Sequence, residues 1–126
     1  LSWNYNYGAA GEALGQPILA NPSLLAEDGL VGWQAALWFW MTTQLPKPSS
    51  HDVMTGAWKP PAEEASAGRY AGFGLTVNII NGQQECGAAR TGDDRVEDRI
   101  GFYLRYTNML GVSPGDHLTC DTMVEY

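Results

Sequence analysis

Residues 72–106 read GFGLTVNIINGQQECGAARTGDDRVEDRIGFYLRY, and the fold turns on how this run divides. Leu75, Val77, Ile79 and Ile80 are apolar and mostly β-branched, which suits a strand or a buried helix, and their period does not separate the two. Further on, Thr91-Gly92-Asp93-Asp94 supplies a capping box and early negative charge for a helix that Gly111 and Pro114 end. On that helix Val96, Ile100, Tyr103 and Leu110 share one face, with Arg95, Arg99, Phe102 and Tyr106 on a neighbouring stripe. Arg99 therefore sits at the edge of a buried face and needs a carboxylate, because a buried unpaired charge is costly. Glu85 is one candidate partner; a surface pair with Glu97 or Asp98 is the other. Between the two elements lie Asn78, Asn81, Gln83, Gln84 and Glu85, planar groups that donate and accept hydrogen bonds in fixed directions. That chemistry suits a hydroxyl-rich neutral ligand, as on one wall of a carbohydrate cleft.

The rest of the composition narrows the partners. At 126 residues with 44% hydrophobic side chains, the chain has material for one core and no more than one ordinary domain. A formal net charge of −7 argues against nucleic acid and against an anionic membrane surface. Five Trp and six Tyr are a high load for this length, and most are expected in the core, with the remainder free to stack on sugar faces. The chain starts at Leu1 without an initiator Met, a charged and apolar leader, or an apolar run of spanning length, so a processed or truncated product is expected. Cys86 and Cys120 lack zinc-ligand spacing; they read as one bridge in a secreted protein or as two buried thiols in a reducing compartment. No metal and no cofactor is expected.

Outward from the central run, the N-terminal segment turns helical after Tyr5 and ends near Gly15, ahead of Pro17. A second helix follows Asp28 as cap. Leu30, Trp33, Leu37, Trp40 and Met41 fall at helical spacing on it, Trp38 and Phe39 widen the apolar surface, and burial on most sides is expected until Pro46 and Pro48 stop it. Residues 47–69 form a surface connector in which Ser49 or Ser50 caps a short helix. His51 and Asp52 are adjacent and so point about 100° apart, which spoils them as a catalytic pair. Glu63 and Glu64 read as a solvated face. The tail from Gly111 to Tyr126 is expected to be irregular and pinned by Cys120, and His117 has no companion at ligand spacing.

Taken together, SWNYNYG, ALWFWMT, PKPSSHDV, GFGLTVNIINGQQECG and DDRVEDRIGFYLRY, in this order and spacing, closely resemble the C-terminal half of plant-type chitinases of glycoside hydrolase family 19. The resemblance covers nearly the whole chain and implies a mainly α, lysozyme-like domain with irregular loops and one disulfide, Cys86 to Cys120. Residues 1–126 would then be the C-terminal part of a single catalytic domain that hydrolyses the β-1,4 links of chitin with inversion. It also implies that the acid and base glutamates, roughly 6.5–9.5 Å apart in inverting enzymes, lie upstream of the motif matching Leu1 to Gly8, leaving the isolated chain inactive.

The resemblance assigns supporting roles here. Ser2 matches a serine that positions the attacking water. Tyr5 and Asn6 match residues lining sugar subsites, Asn81 a cleft amide and Lys47 a cleft-edge cation. Glu85 and Arg99 match a charged network that sets the ionisation of the missing acid. The ending DTMVEY, residues 121–126, departs from the family pattern. The implied partners are chitin or N-acetylglucosamine oligomers, together with a missing N-terminal half or a second copy that covers the apolar helix after Asp28. The implied location is secreted, extracellular or vacuolar, in defence or wall turnover. A chitinase-like sugar-binding or storage protein without hydrolysis is the alternative, and a stable proteolytic core without a function of its own is a third reading.

Overall fold

A computed structural model describes residues 1–126 as seven α-helices without a β-sheet: α1 (Asn4–Leu14), α2 (Leu24–Glu27), α3 (Gly29–Met41), α4 (Ser50–Thr55), α5 (Ala62–Ser66), α6 (Phe73–Glu85) and α7 (Asp94–Leu110). The chain divides into two compact units, Leu1–Thr42 and Thr43–Tyr126.

In the first unit, α1 ends on Gly15, whose left-handed conformation returns the chain toward the helix with its N–H on the Glu12 carbonyl. Asp28 caps α3 by accepting from the N–H groups of Leu30 and Val31, which satisfies two donors that helix geometry leaves unpaired. Ala10, Ile18 and Val31 form the small core, with Tyr7, Leu24, Leu25 and Trp38 packed on it. Only Val31 and Ala35 of α3 are buried. Contrary to the expected burial on most sides, Leu30, Trp33, Leu37 and Met41 are exposed, Trp33 by 73%. The physical reason is area: α1 and α2 are too short to surround a helix that is apolar around its whole circumference.

The second unit is built on α6, which resolves the ambiguity of the apolar run in favour of a helix. Gly74 lets it come against the C-terminal segment: its N–H donates to the His117 carbonyl, and a Cβ there would overlap the Thr119 carbonyl. Leu75, Val77 and Ile79 join Val53 from α4, Val96 and Ile100 from α7, and Met123 from the tail in one core. Cys86 and Cys120 are bonded and buried in it. This disulfide joins residues 34 apart in sequence, which in the chain-entropy account restricts the unfolded chain. Ser49 caps α4 through the Asp52 N–H, as expected.

Helix α7 differs from expectation at both ends of its apolar stripe. Its cap is Asp93 alone, accepting from the Arg95 N–H, while Thr91 turns back to the Ala88 carbonyl, so no capping box forms. Leu110 is 75% exposed, and Thr107, bonded to the Tyr103 carbonyl, takes the buried place in the last turns. Gly111 ends the helix in the left-handed conformation. Aromatics are less buried overall than composition suggests: Trp3, Tyr5, Trp33, Tyr70, Phe102 and Tyr106 are all exposed.

Candidate functional site

The best-defined chemistry in the second unit centres on Glu85, at the end of α6. Its residue is 2% exposed, yet its carboxylate is ionised because it is fully engaged. Arg99, 14 residues further on and carried by α7, donates through Nε to Oε2 at 2.9 Å and through Nη2 to Oε1 at 3.0 Å. Asn81 adds a third bond, Nδ2 to Oε1 at 2.7 Å. Burial pushes the Glu85 carboxyl up, but the hydrogen bonds from Arg99 and Asn81 and the charges of Arg99 and Arg95 outweigh it and leave it below the usual glutamate range. The same Glu85 hydrogen bond raises Arg99. A two-pronged guanidinium–carboxylate pair of this kind fixes orientation as well as charge. The alternatives for Arg99, Glu97 and Asp98, are not its partners.

Asn81 owes its position to a kink. Its backbone leaves helical geometry at φ −149° and ψ 36° inside α6, which turns the side chain toward Glu85 and leaves Oδ1 without a protein partner. Two residues earlier, the Ile79 carbonyl accepts from Lys47 Nζ at 3.0 Å. Lys47 is half-buried, and burial holds its ammonium below the usual lysine value. One kinked helix thus carries both the amide and the carbonyl that seats the cation.

In the first unit Ser2 and Tyr5 are exposed, Tyr5 by 67%. Asn6 is buried, and its Nδ2 donates to the Ser2 carbonyl at 2.8 Å while its Oδ1 has no partner. An orphaned buried acceptor is expensive unless a ligand or water satisfies it. Asn6 and Asn81 therefore share a pattern: one arm of each amide is tied to the protein and the other is free. The Ser2 hydroxyl makes no side-chain bond that would commit it elsewhere.

Other residues singled out from the sequence are spoken for. Asn78 is fully buried and grips the tail, donating to the Val124 carbonyl and accepting from the Tyr126 N–H, both at 3.1 Å. Gln83 donates to the Tyr126 carbonyl at 3.4 Å. Asn78 serves the fold with both arms, which corrects its reading as a sugar-facing group, whereas the exposed Gln83 commits only its Nε2. Glu64 is likewise no solvated face: its carboxylate lies 3.3 Å from Arg69 Nε and accepts from the Tyr126 hydroxyl at 2.8 Å. Spacing gave no sign of the Tyr126 contact, because it lies 62 residues away. His117 stacks on Tyr70 with ring centres 5.2 Å apart. A shallow hollow of about 320 Å³ between Val53, Thr55, Gly72, Tyr103 and Asp116 contains none of the candidate residues. No cluster of His, Cys, Asp and Glu has the makings of a metal site.

With this geometry in view, the comparisons are specific. Residues 1–120 match the family model described as chitinase class I. The chain is 58% identical to inactive chitinase-like protein 1 of Hevea brasiliensis and 55% identical to endochitinase 3 of Nicotiana tabacum, over 95% of its own length but 38% and 35% of theirs. Among solved structures, a bacterial family 19 chitinase superposes with a TM-score of 0.72 at 41% identity, and chitinase C from Streptomyces griseus with 0.73 at 36%. The chain covers 52% and 42% of those two. It thus spans well under half the length of the plant relatives and about half of the bacterial structures.

Proposed function

From the membership of this chain in the class I chitinase family of glycoside hydrolases, we propose that it is the C-terminal part of the catalytic domain of a chitin-hydrolysing endochitinase, supplying substrate-binding and support residues. The observation that carries this reading is the Asn81–Glu85–Arg99 network, in which the buried Glu85 carboxylate holds Asn81 by its Nδ2 and leaves the Asn81 acceptor without a protein partner. Glu85 is held ionised and triply bonded, so it has no proton to give at neutral pH and cannot serve as the acid that protonates a leaving oxygen. Its role is support. It orients Asn81, and with Arg99 it sets a fixed field for a carboxyl acid contributed from beyond these residues. Asn81, Asn6, Tyr5 and Lys47 bind N-acetylglucosamine units through an amide acceptor, a second amide, a ring face and an ammonium donor. Ser2 positions water.

On this reading, neither the acid nor the base of the inverting reaction is among the 126 residues, and the polypeptide alone binds N-acetylglucosamine oligomers without cleaving them. Secretion to the extracellular space or the vacuole is supported by the buried disulfide, which persists in oxidising compartments. The exposed face of Leu30, Trp33, Leu37 and Met41 supports a covering polypeptide, either the remainder of a longer family chain or a second copy. The similarity to a relative named as inactive favours a second reading: a chitinase-like protein that binds sugar without hydrolysis in any context.

One set of measurements on the purified protein tests these statements. Its intact mass and sedimentation are recorded first, followed by binding and product analysis with the N-acetylglucosamine hexamer. Binding without products is expected of the 126-residue species. Turnover by that species refutes the division of labour, and a clean monomer without sugar affinity refutes the substrate-binding role.

A further inference from the structure

Residues 121–126 lie beyond the stretch that matches the family, yet the unit grips them. The buried amide of Asn78 takes the Val124 carbonyl and the Tyr126 N–H together, the Val124 N–H donates to the Ala67 carbonyl at 2.9 Å, and Met123 is buried. A chain held at three backbone groups within the last three residues presents its side chains in a fixed direction. The Tyr126 ring is further fixed at its far end, where the hydroxyl donates to Glu64, and by the Arg69 guanidinium 4.2 Å over its centre.

The same ring lies under a second cation. Lys47 Nζ sits 5.8 Å from the ring centre, within the range in which the negative face of an aromatic attracts an ammonium. The Lys47 backbone is itself pinned, in a turn closed by the Gln44 N–H on the Lys47 carbonyl at 3.0 Å and the reverse bond at 2.9 Å. What remains free is a long, flexible stem whose tip can hydrate in many directions. The Ile79 carbonyl and the Tyr126 ring are the polar and aromatic contacts that hold that tip.

We propose that Tyr126 is a positioning residue for substrate binding: the tail clasp fixes its ring, and the ring holds the Lys47 ammonium at the Ile79 carbonyl, aimed for a sugar oxygen. Arg69 over the ring is the brace that keeps it in place and Asn78 is the anchor, so the ring holds its position without the Glu64 bond. The value of Lys47 to the sugar rests on the function proposed above; the restraint of its ammonium by the ring does not.

The test separates the two. In the 13C-labelled protein, Lys59 is the only other lysine and serves as an internal reference. The unsubstituted protein is expected to show ring-current-shifted Lys47 Hε protons with cross-relaxation to the Tyr126 ring, a result that needs no variant to fold. Tyr126→Leu is expected to move the Lys47 Hε signals toward those of Lys59, whereas Tyr126→Phe, which keeps the ring, retains their ring-current shift. Binding of the N-acetylglucosamine hexamer is expected to weaken about two- to fivefold in Tyr126→Leu and to recover in Tyr126→Phe. Absence of the ring shift in the unsubstituted protein overturns the proposal, as does a folded Tyr126→Leu protein whose Lys47 signals do not change. If Lys47→Ala binds the hexamer undiminished while the ring effects are present, the sugar-contact reading of Lys47 fails and the restraint stands.

Discussion

Replacing Arg99 with Met isolates what the Glu85 network is worth. The substitution keeps an unbranched stem and removes two charged hydrogen bonds, at 2.9 and 3.0 Å, from a carboxylate whose side chain is 1% exposed. Breaking a fully buried pair by deleting one partner costs about 3–5 kcal/mol. The Arg99 side chain is 43% exposed, so water partly replaces it and solvent already screens the pair, which brings the expected loss to about 1–3 kcal/mol at pH 7.

The pH dependence is more diagnostic than the size. With Arg99 present, Glu85 titrates below its unfolded value, so its contribution is present above the ordinary glutamate range and is lost as the pH falls through the folded value. Without Arg99, burial, the largest influence on Glu85, is opposed only by the bond from Asn81 and the charge of Arg95, and the folded value is expected to move above the unfolded one. Stability then declines as the pH rises through that interval. The penalty of Arg99→Met should therefore shrink between pH 7 and pH 4, by about 1.4 kcal/mol for each unit by which Glu85 is raised. Urea unfolding of both proteins at several pH values measures it, and Glu85→Gln on the Arg99→Met background should recover stability at pH 7. A penalty that is the same at pH 4 and pH 7, with no recovery in the double variant, would refute the reasoning.

Two further outcomes bear on the frame around that network. Replacing Cys86 and Cys120 with Ala opens a loop of 34 residues' separation and should cost about 4 kcal/mol on the chain-entropy account, read as a lower urea midpoint than that of the parent protein. Asn78→Leu keeps the volume but leaves the Val124 carbonyl and the Tyr126 N–H unpaired, at a cost of about 1–3 kcal/mol. Hydrogen exchange should then accelerate at Tyr126 and along the tail but not in α7; uniform acceleration would mean that Asn78 holds the whole unit rather than the clasp.

Much of this was legible locally. Asp28, Ser49, Gly15 and Gly111 act within a turn of themselves, so caps and stops follow from residue type and spacing. The need of Arg99 for a carboxylate was equally readable, because an arginine beside an apolar stripe has few solutions, and Glu85 meets it. The motif resemblance carried the family and the disulfide. What composition misjudged was α3: its apolar circumference implied burial, but apolar character is only a demand, and the neighbours present meet it on the side of Val31 and Ala35 alone.

By itself, then, the sequence determined several helix caps and stops, which cysteines and charges seek partners, and to which family the chain belongs, since these depend on residues near one another or on a pattern preserved along the chain. Tertiary structure alone decided which of four similar amides are spent on the fold. Asn78 is spent with both arms on a tail more than 40 residues further along, while Gln83, Asn81 and Asn6 each tie one arm and leave an acceptor open. An amide reads the same in sequence whether satisfied or free; only the placement of distant backbone groups around it settles the difference.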